Sequence, residues 1–194
     1  MTRQRIRAIR REELIHATIA AIYENGFADL TVAQIARDAE ASTGSIHYYF
    51  GGKEALLEAT MVHLLDLLHT AHRRHLSSAE GAKDRLHAVV QANFDDTFLT
   101  RETCRVWTQF WAFAPYHPGL ARLHKLNRAR VRSNVIHALR SLVSEQDLNV
   151  KANAIQGYMD GVWVQLSQSQ ETPDLAALQS EAARFVEQTV YAAE

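Results

Sequence analysis

The stretch Thr31 to Lys53, TVAQIARDAEASTGSIHYYFGGK, constrains this chain more than any other. Thr31 with Gln34 three residues on has the form of a capping box, and Val32, Ile35, Ala36 and Ala39 then recur at helical spacing. The spacing predicts a short helix with one apolar face. Glu40 and Ala41 leave room only for a sharp reversal, after which Ser42 or Thr43 can cap a second short helix running to about Tyr49. Two short helices joined by so tight a turn have helix-turn-helix spacing, and Lys53 opens a third helix.

The second helix has few residues that can anchor it. Ile46 and Phe50, four apart, share a face and can pin it inward, which presents Thr43, Gly44, Ser45, His47 and Tyr48 or Tyr49 outward. Those groups suit a phosphate-lined groove: Gly44 lets a backbone approach closely, the helix N-terminus favours anionic oxygen, and hydroxyl and imidazole groups bond phosphates or base edges. Gly51 and Gly52 end the helix and Lys53 stands where it can touch a nucleic-acid backbone. The competing structural reading is an ordinary helical hairpin whose tyrosines only pack.

Net charge is −1, so no global field draws the chain to nucleic acid, but Arg3, Arg5, Arg7, Arg10 and Arg11 precede any acid. They form a basic arm ahead of a first helix expected over Glu12 to Asn25, read either as a solvated tail or as an arm that orders on a duplex. Hydrophobic residues make up 47% of the 194 positions and only one cysteine, Cys104, occurs, which excludes an internal disulfide framework and fits a reducing compartment. No apolar run reaches the roughly 18 residues of a membrane span and no leader pattern is present, so the expected location is the cytoplasm.

Three prolines, no sustained strand alternation and helical periodicity from Glu12 onward make this an all-α chain. A long fourth helix is expected from Lys53 to about Ser77, with Leu56, Leu57, Met61, Leu64, Leu65, Leu68 and Ala71 on one stripe. At 1.5 Å per residue it spans roughly 36 Å, enough to link two domains. His63, His69, His72 and His75 on it lack a carboxylate or cysteine cluster, so solvated histidines are the reading and no metal is expected. A break at Ser77 to Gly81 precedes helices expected over Ala82 to Leu99, Glu102 to Ala114, Pro118 to Ser144, Asp147 to Ser169 and Pro173 to Ala192. The helix-turn-helix segment and the helices that follow it are read as two domains, over 1–55 and 56–194. Gly157 and Gly161, four apart, and the stripe Leu175, Leu178, Ala182, Phe185, Val186 and Val190 suit a homodimer interface on the last two helices, or packing within the chain. A dimer lets two heads read a near-palindromic site.

Aromatic residues crowd one stretch of the second half. Trp107, Phe110 and Trp111 share a helical face, Tyr116 follows, and Trp163 returns later. Aromatic faces attract quaternary ammonium groups, and Asp95, Asp96 and Asp160 are the acids that can offset a ligand's positive charge. An aromatic core with surface acids accounts for the same spacing. Nothing in the chain supplies an enzyme's parts: there is no glycine-rich phosphate loop, no metal-spaced cluster, no general base beside the thiol, and so no catalytic residue.

The run GFADLTVAQIARDAEASTGSIHYYFGGKEALL, Gly26 to Leu57, resembles the DNA-binding domain of TetR-family repressors. That resemblance implies a nine-helix fold with a C-terminal effector-binding and dimerisation domain, pairing through the last two helices, and DNA contact at or near Thr31, Ser42, Thr43, Gly44, His47, Tyr48, Tyr49 and Lys53. Gly51 and Gly52 depart from the charged pair more usual before the lysine. Within the family, STG followed by HYYF, KEALLEATM, NFDDT, WTQFWA with HP after it, and MDGVW are similar to the choline-responsive branch. The implied effector is choline, releasing genes of the choline to glycine betaine pathway, with no other cofactor. The alternatives are a repressor of an efflux or catabolic operon answering another cationic or lipophilic effector, against which three methionines weigh mildly, and an activator.

Overall fold

The structure is a computed structural model that describes residues 2–191. The described residues form nine α-helices and one 3-10 turn, with no strand: α1 Arg3–Asn25, α2 Val32–Asp38, α3 Thr43–Phe50, α4 Lys53–Leu76, α5 Ala82–Ala92, α6 Arg101–Phe113, the 3-10 turn Ala114–Tyr116, α7 Pro118–Leu139, α8 Glu145–Gln168 and α9 Leu175–Tyr191. The all-α expectation holds.

The helices gather into two compact units. One runs up to Leu65 and takes in Arg105–His124; the other comprises Asp66–Cys104 and the chain from Lys125 on. The boundary falls inside α4, α6 and α7, so the units are not consecutive stretches of sequence. In the first, α1 packs on α2 and α3. Its core is Leu14, Ile22, Phe27, Leu30, Ile35 and Ile46 with Leu56 and Leu57 of α4, all nearly free of solvent. In the second, α9 lies against α5 and α8, and Ala182, Val186 and Val190 are buried there. Half of the apolar stripe read as an interface is thus core of this unit.

Several helix bounds differ from the sequence reading. α1 begins at Arg3, not Glu12, so the basic arm is helical. α5 ends at Ala92, not Leu99, because local side-chain bonds capture the backbone after it. Asn93 donates to the Val89 carbonyl at 2.9 Å, and the Asp95 carboxylate accepts the Thr97 amide at 2.9 Å and the Thr97 hydroxyl. α7 stops at Leu139 rather than Ser144, since Ser144 caps α8 by accepting the Asp147 amide at 3.2 Å. α9 opens at Leu175, and its expected end at Ala192 lies outside the described residues. No helix among them is long and apolar enough to cross a membrane.

Candidate nucleic-acid interface and effector residues

The α2–α3 turn is built by backbone bonds. Past Asp38 the Glu40 amide bonds the Arg37 carbonyl at 3.1 Å and the Ala41 amide bonds the Ala36 carbonyl at 2.8 Å. This closure puts Glu40 in the left-handed region at φ 48°, where glycine is the commoner occupant. Thr31 caps α2 by accepting the Gln34 amide at 3.1 Å, and Ser42, rather than Thr43, caps α3 by accepting the Ser45 amide at 3.1 Å. The Ser45 hydroxyl lies 3.0 Å from that of Ser42, so it belongs to the cap.

Ile46 is the buried anchor of α3, while Thr43, Gly44, His47 and Tyr48 face solvent. Tyr48 is 64% exposed and stands edge-on to Tyr49, ring centres 4.9 Å apart. A Cβ on Gly44 would meet nothing closer than the Ser42 hydroxyl at 3.5 Å, so the chain's own packing does not require glycine there. The far end is locked: Gly51 at φ 90° returns its amide to the His47 carbonyl, Arg11 bonds the Tyr49 carbonyl, and its guanidinium lies 4.2 Å above the Phe50 ring. Lys53, expected to reach outward, donates to the Leu30 carbonyl. That bond joins the first turn of α4 to the entry of α2. The sequence reading missed Arg11 as a support of α3; its place one turn before Leu14 on α1 was the available signal.

The aromatic residues divide. In the first unit Phe110 is buried edge-on to Phe27 at 5.6 Å, Phe27 stacks on Phe113 at 4.3 Å, and the Phe27 amide donates to the Gln109 side chain at 3.0 Å. Phe110 therefore serves the core beneath the helix-turn-helix. Trp107 is buried, Trp111 is half-buried with His124 edge-on at 6.3 Å, and Tyr116 on the 3-10 turn is 81% exposed and lines no buried cage. In the second unit Trp163 is buried against Phe98 at 5.8 Å. Tyr158 stands edge-on to Phe94 and stacks on Phe185 of α9 at 4.2 Å, a cluster that sequence spacing did not reveal because its rings come from α8, α9 and the segment after α5.

All three candidate acids have cationic neighbours in the chain. Asp95, 2% exposed, accepts from Arg74, from His75 Nε2 at 2.7 Å and from Thr97. Burial alone would raise its pKa, but the bonds from Arg74, Thr97 and His75 outweigh burial and hold the carboxyl well below the usual carboxylate range. Asp96 is exposed, 3.9 Å from Arg74, and Asp160 pairs with Arg128 at 2.7 Å. His72 is buried, donating from Nδ1 to the Leu68 carbonyl at 3.0 Å, and burial lowers its pKa. Among the described residues no group of three or more His, Cys, Asp or Glu side chains is placed to hold a metal ion. Cys104 is fully buried and its thiol is pushed up to about 12, which leaves it protonated and unreactive.

A capped, solvent-facing helix held out by a tight turn, near the start of a chain whose described residues form helices and no strand, has the build of a helix-turn-helix regulator. Residues 14–60 match the family model for bacterial regulatory proteins of the tetR family, and residues 82–190 match that for the BetI-type transcriptional repressor C-terminal domain. The chain belongs to the TetR family and carries the BetI-type C-terminal domain; it is a transcriptional repressor and not an enzyme. It is 38% identical over 165 residues to the HTH-type transcriptional regulator BetI of Stenotrophomonas maltophilia, covering 84% of each chain. To BetI 2 of Chromohalobacter salexigens it is 37% identical over 182 residues, covering 93% of this chain and 88% of that one. A TetR transcription regulator from Haloarcula marismortui superposes with TM-score 0.78 at 20% identity, over 93% of this chain and 97% of the other. A transcriptional regulator from Saccharomonospora viridis, solved in complex with choline, does so with TM-score 0.78 at 20% identity, over 91% and 95%. At such identities the structures establish the fold alone.

Proposed function

We propose that this repressor acts as a homodimer in the cytoplasm on an operator controlling choline to glycine betaine genes, and that choline releases it. The match of residues 82–190 to the BetI-type C-terminal domain carries this reading, and every candidate effector residue lies within that stretch. The choline-bound Saccharomonospora viridis neighbour, alike in fold, agrees with it. Because Asp95, Asp96 and Asp160 already face cations of the chain, the cation is recognised mainly by aromatic faces, Trp163 foremost in the second unit. The dimer pairs through α8 and α9. Val150, Gly157, Gly161 and Val164 recur along α8 at helical spacing, both valines are exposed, and a Cβ on either glycine would meet nothing within 4 Å.

Choline acts by population shift, binding a state whose heads misfit the operator in preference to the operator-competent state by a few kcal/mol. The test is a fluorescence-anisotropy titration of the chain on the DNA upstream of its own gene, with and without choline. Release by choline is expected, and weaker release from a Trp163→Leu variant. Binding unchanged at millimolar choline refutes the ligand assignment and leaves the repressor.

A further inference from the structure

The basic arm is the first part of a helix, and its arginines are not equivalent. Arg10 pairs with Glu13 at 2.7 Å. Arg11 holds the end of α3 through the Tyr49 carbonyl and the Phe50 ring. Arg3 and Arg7, one turn apart and so on one face of α1, are exposed and make no ion pair or side-chain hydrogen bond among the described residues. Together with Ile6, Tyr48 and Tyr49 they line an open groove of about 750 Å³ beside the reading helix. Its charged lining residues are both cations.

We infer that this groove holds one phosphodiester strand of the bound duplex, with Arg3 and Arg7 contacting phosphate oxygens and the Tyr48 hydroxyl donating alongside them. The assignment rests on the DNA-binding reading and extends it to a second contact surface, outside α3. Guanidinium groups meet phosphate through paired N–H donors, and two of them one turn apart follow a backbone rather than a single anion. The local sequence fits an arm built for an anion. The first turn of α1 has no acid and no side-chain cap, so its arginines sit at the end where the helix dipole disfavours positive charge. A neighbouring phosphate offsets that repulsion. Arg5, two residues from Arg3 and from Arg7, does not line the groove and provides an internal control.

The experiment measures binding of the full chain to a random-sequence duplex and to its own upstream DNA across a salt series. Each phosphate contact contributes about 0.9 to the slope of log affinity against log salt. The double variant R3A/R7A is expected to flatten the slope by about 1.8 per head on both duplexes and to weaken both by the same factor, leaving their ratio unchanged. R5A is expected to leave the slope as it is, and R3K/R7K to restore it while regaining only part of the affinity. Helix content by circular dichroism guards against loss of the arm itself. A slope unmoved in a folded R3A/R7A, an equal effect from R5A, or a loss confined to one duplex would each overturn the assignment. A wild-type chain with no salt-dependent binding to either duplex would instead refute the DNA-binding reading beneath it.

Discussion

Replacing Asp95 by asparagine keeps the size of a buried side chain and removes its charge. The carboxylate accepts from Arg74, His75 and Thr97 at the point where α5 has ended, so it ties the last turn of α4 to the segment before α6. Arg74 is half exposed and can turn to water, which places the loss toward the lower part of the range for charge-assisted bonds, about 2 kcal/mol at neutral pH. The sign of the pH dependence follows from the depressed pKa. The unfolded chain takes up the proton first as pH falls, so Asp95 contributes its full stability above about pH 4 and loses it on further acidification. One such group changes stability by at most about 1.4 kcal/mol per pH unit. Urea unfolding followed by tryptophan fluorescence, in steps from neutral to acid pH, should show wild type and Asp95→Asn separated at pH 7 and converging below about pH 4. A constant separation across the acid range, or none at neutral pH, would refute the claim that the charged carboxylate holds this junction.

Three further outcomes are expected. Gly119→Ala places a Cβ 1.8 Å from Glu58 Oε1 and 2.9 Å from its Cγ, so Glu58 must swing aside, and the substitution should be more favourable, by up to about 1 kcal/mol, in a Glu58→Ala background than in the wild type; equal effects in both would contradict the contact. Lys53→Ala removes the bond to the Leu30 carbonyl and, at about 1 kcal/mol, should lower the melting midpoint of the free protein by about 2–4 °C, which a purely DNA-facing lysine would not do. The Cys104 thiol should resist iodoacetamide in the native chain and react once urea unfolds it; rapid native alkylation would contradict its burial.

The helix-turn-helix was legible because each signal in it is local. Thr31 and Ser42 cap the helices they precede, Ile46 anchors, and Gly51 terminates. The start of α1 was not, since apolar periodicity begins only at Leu14 and the arginines before it carry helix propensity but no start signal. The break before α8 did have a local sign, Ser144 three residues before Asp147, whose weight beside a long periodic run was underestimated. The state of the three acids could not be read at all. Arg74 and His75 lie 21 and 20 residues from Asp95, and Arg128 lies 32 from Asp160, so only the fold shows that these carboxylates already have partners. Phe110 misled for a related reason: its helical face was read correctly, but the ring it meets, Phe27, is some eighty residues upstream.

The Phe27 contacts bear on how such regulators can be recombined. Phe27 lies within 14–60, the stretch that matches the tetR family model, yet its amide bonds Gln109 and its ring packs on Phe110 and Phe113. A chimera joined after residue 60 would take Phe27 away from these partners and give it whatever the host protein has at those positions. Grafting this reading head onto another sensor therefore requires transplanting 105–124 with it, and among natural relatives these two segments should be inherited as a pair.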